Sequence, residues 1–379
     1  MKWQDKALAD CATFQSGGTP NKGRSEYWSG DIPWVSSGEM TRPFITDTSL
    51  HITEAGAASG SRLMPAGTIF AVVRGMSLAS EFRVAYATRQ VAFNQDLKAL
   101  TAREGIDSYF LFSALRVHGP AIRDLATEAA HGTKKLEMER LESFRIRIPD
   151  FDTQVRIAAE ARNFDELIES NLRRIALLEE SSRLLYREWF VNLRFPGHEL
   201  APMHEGLPEG WRLGRLDEAL LLQRGFDLPT QARKPGEIPI YSSTGITAYH
   251  DEARARGPGV VTGRSGTLGV VHHVHGDYWP LNTALWVKEF RAVTPIVAYF
   301  MLSEMNLAQY NSGASVPTLD RKVAHAQAVF LPPSTVINQL EDIIEPVFEQ
   351  TRALRRSISG LQEARNALLP KIMSGEISV

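Results

Sequence analysis

The sequence predicts an α+β protein. Two mixed α/β globular domains are separated by two long helices that pair as an antiparallel coiled coil, and the second half repeats the first with pseudo-two-fold symmetry. Three observations predict this. Ile157, Ala161, Phe164, Ile168, Asn171, Ile175, Leu178, Ser182, Leu185 and Trp189 step by 4 and 3 without a break. Adding 183 to each number gives Leu340, Ile344, Val347, Thr351, Leu354, Ile358, Leu361, Arg365, Leu368 and Ile372, a second seam of the same period. Such sustained spacing with polar flanks is the pattern of a coiled coil. The second observation is that the stretches preceding the two seams carry the same short motifs in the same order. The third is Phe195-Pro196-Gly197, which breaks the first helix and opens a polar linker. The resulting divisions are a first domain over 1–150, a helix over 151–195, a linker over 196–210, a second domain over 211–333 and a second helix over 334–379. Helices buried in two separate cores are the alternative, and an uninterrupted period fits them less well. Neither helix is stable alone in water, so each needs a partner, and the other is the obvious one.

At 379 residues the chain exceeds one ordinary domain. No run of about 18 apolar residues exists, so no membrane span is expected. Met1 to Phe14 lacks the apolar run of a signal peptide, and Cys11 is the only cysteine, which excludes an internal disulfide. A cytoplasmic location is the expectation. The net charge of −2 does not advertise nucleic-acid binding, so any such face must be a local patch.

In the first domain, Gly17-Gly18-Thr19-Pro20-Asn21 reads as a turn cluster. Ile32-Pro33-Trp34-Val35 is a short strand closing into the loop Ser36-Ser37-Gly38. Gly67 to Val73 is a β-rich run ended by Arg74-Gly75, and Phe93-Asn94-Gln95-Asp96-Leu97 follows. An amphipathic helix spans Ser108 to His118, and Leu136 to Pro149 is a short helix leading into a strand. The second domain repeats the plan. Ile238 to Ser243 matches Ile32 to Ser37 at an offset of 206, Val260 to Arg264 matches Phe70 to Arg74 at 190, Leu281-Asn282 matches Phe93-Asn94, and Leu319 to Pro332 matches Leu136 to Pro149 at 183. The first copy therefore holds about 16 extra residues between 38 and 67, in a surface loop that tolerates them.

On these residues, together with Gly313-Ala314-Ser315-Val316-Pro317-Thr318-Leu319 and Phe330-Leu331-Pro332-Pro333, the chain resembles the specificity subunits of type I DNA restriction-modification systems over nearly its whole length. No single motif is very specific; their order, repeated twice with a long helix after each, is. The resemblance implies two target-recognition domains, each reading one half of a split site in double-stranded DNA. It implies helical spacers that fix the half-site separation and dock two methyltransferase subunits and, through them, restriction or translocase subunits. It implies a subunit with no active site and no cofactor of its own, S-adenosylmethionine being expected on the methyltransferase partners. The first copy departs from the pattern at His131-Gly132-Thr133-Lys134-Lys135, where the second has Ser315-Val316-Pro317.

Chemical motifs are sparse. Gly263 to Gly269 is glycine-rich but lacks the lysine of a phosphate-binding loop, so it reads as a turn between strands. On a strand His273 and His275 share a face and His272 points away, with no Cys or Glu partner near, so no metal is expected. If the halves read different bases, residues common to both copies cannot supply the difference. Ser36, Ser37, Arg74 and Asn94, with Ser242, Ser243, Arg264 and Asn282, are then scaffold or phosphate contacts, and a salt bridge at the core edge is the other reading of the two arginines. Base-reading candidates lie where the copies diverge: Lys22, Arg24, Arg42, Arg62 and Arg83 in the first, and Arg233, Lys234, Arg254 and Arg256 in the second. Arginine on guanine is the commonest specific contact, against which stands the plain reading of a solvated charge. Two further functions compete: a coiled-coil scaffold with two protein-binding heads, and a self-contained DNA methyltransferase or nuclease, which the lack of a cofactor or metal motif disfavours.

Overall fold

The computed structural model describes residues 3–129 and 132–379; His131 of the divergent loop lies outside the described residues. The chain divides into two units, residues 1–171 with 356–379, and residues 172–355. Each unit holds one globule and a part of both long helices.

In the first unit, Gln4–Ala7 runs antiparallel to Arg145–Ile148 and zips the start of the globule to its end. The main sheet has five strands in the order Ala12–Ser16, Leu97–Ala102, Ile69–Val72, Val84–Ala87 and Phe44–Ile45. Its central strand Ile69–Val72 is buried at every position, which is why it reads as a continuous apolar run. Helix Ser108–Val117 starts where the Asp107 carboxylate accepts the Phe110 N–H at 2.8 Å, and it buries Tyr109 through Leu115. A satellite sheet orders His51–Ile52, Ile32–Val35, Val91–Phe93 and Leu63–Met64. Ile157, Ala158 and Ala161 of the first long helix and Leu369, Ile372 and Met373 of the second enter the same core. At about 1.5–3 kcal/mol per fully buried large aliphatic side chain, these residues tie both helices to the globule.

The second unit repeats the scheme. Arg212–Arg215 pairs with Ala328–Leu331, the main sheet orders Leu220–Arg224, Ala284–Phe290, Gly259–Gly263 and Val271–Val274, and the satellite sheet orders Gly245–His250, Ile238–Ser242 and Trp279–Pro280. In both satellites one pairing is parallel: Trp34 lies opposite Ala92, and Ile240 opposite Trp279. Gly17 and Gly225 occupy one role. A Cβ on either would stand 2.3 Å from the Phe93 carbonyl oxygen or 2.2 Å from that of Leu281, so only glycine admits the crossing strand. The glycine pair is thus a close backbone approach as much as a turn.

The strand pairings revise three of the motif matches. The offset is 206 at Ile32 and Ile238, but 198 at their antiparallel partners Ile52 and His250. It is 191 at Val73 and Arg264, whose N–H groups both donate to the carbonyl that follows the satellite strand, that of Asp96 or Thr283, at 2.9 Å. The extra residues of the first copy are therefore split, part before His51–Ile52 and part after it, where helix Glu54–Gly60 stands. At an offset of 191 Arg264 matches Val73, not Arg74; Arg74 matches Ser265. The asparagines are also displaced. The Asn94 N–H donates to Val35 at 3.0 Å and the Leu281 N–H to Tyr241 at 2.8 Å, so Asn94 matches Leu281 and Asn282 matches Gln95. The Thr19 hydroxyl donates to the Gln95 side chain, and Asn282 donates to Asp227, the same contact in each copy. Hydrogen-bond register, which shifts by single residues, decides these matches; side-chain likeness does not.

The first long helix spans Phe151–Tyr186, 36 residues, and passes into a wider turn over Arg187–Val191 before the proline is reached. The second spans Ser334–Ser374, 41 residues. All seam positions of the first helix are buried or half-buried, from Ile157, Phe164, Ile168, Ile175, Leu178 and Leu185 to Trp189. In the second, Leu340, Ile344, Val347, Leu354, Ile358, Leu361 and Ile372 are likewise covered. Leu368 is the exception: it is 37% exposed, while Leu369 is 4% exposed and in the core. A straight helix turns every 3.6 residues and drifts off a 3.5-residue seam by about 20° per heptad, so the buried stripe steps by four past Arg365.

Within the first unit the helices run antiparallel: Arg365 bonds Asp165 at 2.7 Å and the Asn171 amide donates to Ser357 at 3.3 Å. Asp165 is 1% exposed and also receives Arg116 at 2.6 Å and the Tyr109 hydroxyl at 2.9 Å. The second unit has an aromatic cluster instead, with Phe300 against Tyr186 and Phe348, and Tyr299 against Phe348. Its Glu179 pairs with Arg355 at 2.6 Å. No helix among the described residues is long and apolar enough to cross a membrane.

Candidate nucleic-acid interface

In each unit the same loops meet beside the main sheet. In the first, the Val73 and Arg74 N–H groups both donate to the Asp96 carbonyl, at 2.9 and 3.3 Å. Gly75 and Arg74 pair with Lys134 and Lys135, and Lys135 pairs with Thr127. The Asn94 side-chain amide donates to the Asp96 carboxylate at 3.2 Å and its carbonyl accepts the Asp96 N–H, which fixes the turn after the satellite strand. Ser37 closes the cluster from the other side, its hydroxyl 4.0 Å from where a Cβ on Gly75 would stand. In the second unit the Arg264 and Ser265 N–H groups donate to the Thr283 carbonyl at 2.9 and 3.0 Å, and Gly266 donates to Pro317 at 2.9 Å. Ser243 lies against Gly266, its hydroxyl 3.5 Å from that glycine's would-be Cβ.

The eight residues assigned to scaffold or phosphate roles all fall on these two clusters, with different environments. Arg74 is exposed, without an ion-pair partner among the described residues, beside the 66% exposed Met76. Arg264 is half-buried, and its guanidinium donates to the Asn282 carbonyl at 3.0 Å, so it braces the turn. Ser242 spends its hydroxyl within its own turn, on Thr244 and the Gly245 carbonyl. Ser36 and Ser37 are half-buried, Ser243 and Asn94 are buried, and Asn282 is held by Asp227. Lys134 and Lys135 stand next to Arg74, with Lys135 also 2.9 Å from Glu137. Sequence reasoning noted these lysines only as a departure from the motif; two adjacent cations at the place of Pro317-Thr318 were the available signal.

Seven of the nine base-reading candidates lie on the satellite lobes. Arg24 stacks 5.5 Å over Tyr27 and donates to its hydroxyl at 2.9 Å; Lys22 is exposed nearby. Arg62 donates to Gln15 at 3.3 Å. In the second unit Arg254 stacks 5.0 Å over Trp279, and His250 packs edge-on to the same indole. The Lys234 ammonium is 3.7 Å from Asp251, Arg233 is half-buried and Arg256 is exposed. A guanidinium held against an aromatic ring loses less freedom when it binds a base edge or a phosphate. Arg42 and Arg83 lie elsewhere, just before the strands Phe44–Ile45 and Val84–Ala87 at the far edge of the main sheet, in a cavity with Arg116 and Arg365.

The histidines of Val271–Val274 are packed as aromatics. The rings of His273 and His275 are 4.6 Å apart, His273 sits 5.0 Å from Phe348, and His272 faces Tyr241. Burial first, then His275 and Arg352, push His273 down to about 3, so it is neutral. Among the described residues no group of three or more His, Cys, Asp or Glu side chains is placed to hold a metal ion.

Two α/β units share one strand-pairing scheme, each with a loop cluster beside its main sheet and an arginine-bearing lobe, and each is tied to two long helices. The comparisons specify the class. Residues 1–180 match the family described as the type I restriction modification DNA specificity domain. The type I restriction enzyme MjaIX specificity subunit of Methanocaldococcus jannaschii is 23% identical over 100% of this chain and 94% of its own length. The EcoR124I/EcoR124II specificity subunit of Escherichia coli is 30% identical over 172 residues, 45% of this chain and 42% of its own. The crystal structure of the type I restriction-modification S subunit from M. genitalium shares the fold, with a TM-score of 0.62 at 17% identity over 98% of this chain and 96% of that one. Residues 1–180 thus carry a type I specificity domain, and over its whole length the chain is similar to type I restriction-modification specificity subunits.

Proposed function

We propose that this chain reads a bipartite DNA site for a type I complex and contributes no active site of its own. Each unit reads one half-site: the loop clusters hold phosphates, and the satellite lobes present Lys22, Arg24 and Arg62, or Arg233, Lys234, Arg254 and Arg256, to base edges. The long helices set the number of unread base pairs. Their outer faces take two methyltransferase subunits, where S-adenosylmethionine would bind, and through them restriction subunits. The cytoplasm, where chromosomal DNA is accessible, is the location this role requires. The observation that carries the reading is one strand-pairing scheme built twice around the same loops, with side chains in those loops that differ. Shared backbone positions and divergent side chains are what two readers of different bases need. The test is exchange of residues 1–150 for the equivalent domain of a relative, followed by mapping of methylated sites. One half-site changes and the other persists; simultaneous change of both would refute independent reading.

A further inference from the structure

The first unit contains a cavity of about 540 Å³ whose wall includes Thr41–Pro43, the turn 80–84, the helices Ser108–Val117 and Gly119–Arg123, and one face of the second long helix. Five guanidinium groups line it: Arg42, Arg83, Arg116, Arg123 and Arg365. Arg83 pairs with Glu81 at 3.0 Å and Arg123 with Asp124 at 2.7 Å. Arg116 and Arg365 share the single carboxylate of Asp165, and Arg42 has no ion-pair partner among the described residues. Two positive charges are thus left without a counter-charge. Burial and the adjacent Arg116 pull the Arg365 guanidinium below its ordinary value, a sign of that surplus. The hydroxyl of Ser113, which is wholly buried and part of the wall, has no partner among the described residues.

The rest of the wall is mixed: Phe82, Val84, Val117 and Leu369 give it apolar flanks, and Thr41, Ser80, Glu81 and Asn366 are polar. A recess of this size with apolar flanks takes a few side chains, whereas duplex phosphates lie on a convex surface and are met by exposed donors. The second unit has no such surplus: at positions 183 away Ser182 replaces Arg365 and Phe348 replaces Asp165. We propose that this cavity, with Arg42 and Arg83 at its mouth and Arg365 at its floor, is a docking site for a carboxylate-bearing protrusion of a protein partner. On the reading given above, on which this inference rests, that partner is a methyltransferase subunit. Arg42 and Arg83 then serve assembly and not base reading. Because one unit has the site and the other does not, the two partner copies are held by different chemistry, one by charge and one without it.

The test uses the full chain with Arg42→Ala and Arg83→Ala together, and with Arg42→Lys and Arg83→Lys. Native mass spectrometry and calorimetry follow binding of the methyltransferase subunit across a salt series. The expected result is roughly tenfold weaker binding of one copy by the alanine variant, loss of that copy's salt dependence, and substantial rescue by lysine. The methylated sequence should be retained. Unchanged affinity and salt dependence for both copies would overturn the proposal. So would unchanged subunit binding with altered methylated bases, which would make the two arginines DNA contacts. If the unaltered chain bound no methyltransferase subunit, the docking reading would fail and the proposal with it; two copies of equal salt dependence would leave the docking reading standing and remove only this inference.

Discussion

Asp165 shows how much one residue can decide. Both of its oxygens are spent, one on Arg365 and the other on Arg116 and Tyr109, in a site with almost no solvent. Asp165→Asn would leave two guanidinium groups facing each other without a counter-charge, which costs about 3–5 kcal/mol for a buried pair. Urea unfolding measures this, and a loss under about 1 kcal/mol would show the site to be wetter than its burial implies. Sequence reasoning placed Arg365 on the seam as a polar interruption, without a partner; its two main neighbours come from different elements and no spacing rule connects them. His273 carries a pH dependence. Its folded-state value, about 3, is depressed below the ordinary 6.5 by burial. The unfolded chain therefore binds the proton more readily, and stability falls as pH drops from about 6.5 toward 3, at up to roughly 1.4 kcal/mol per unit for this one group. His272, His275 and His325 are shifted the same way, so the second unit is expected to be acid-sensitive. His273→Phe should flatten the pH profile of chemical denaturation; an unaltered profile would mean that other groups govern it.

Among the elements, the long helices were the most legible, because a seam repeated over many turns leaves a periodic record in the sequence. Their ends were less so. The α-helical hydrogen bonding stops at Tyr186, before any proline, and the buried stripe moves from Leu368 to Leu369. Leu369→Ala is expected to destabilise the first unit by about 2–5 kcal/mol, and Leu368→Ala by less than about 0.5. Thermal or urea melts of the two variants decide between the strict heptad and the observed register. In the strands, a match of arginine to arginine failed by one place. Arg74 is exposed in its loop cluster, whereas Arg264 lies at the place of Val73 and braces a turn. One residue is half a pleat, so an error that small reverses the face.

At the scale of the molecule, the continuous helices connect two globules that each keep a core of their own. If the helices set the separation of the two half-sites, their length is a ruler. A seam of about 50 Å bounds that separation at about 15 base pairs, and one helical turn of about 34 Å is the nearer expectation for two heads that read one side of a duplex. Deleting one heptad from each helix, residues 168–174 and 351–357, removes roughly 10 Å while keeping the apolar period. Both half-site sequences should persist in methylated-site mapping while the unread spacer between them shortens. A folded, active complex with an unchanged spacer would show that something else sets the distance.

The sequence by itself determined the repeat, the two long helices, the order of the motifs, and through them the resemblance to type I specificity subunits. These depend on periodicity and on glycine and proline at fixed places, which are local properties that a linear chain records. Tertiary structure alone decided which residues are equivalent between the copies, where Arg42 and Arg83 go, and what Asp165 holds. Those outcomes depend on hydrogen-bond register and on contacts between elements far apart in the chain, such as Asp165 with Arg365. Nothing local at either end specifies them, because the energy of such a contact exists only after the backbone has brought the two ends together.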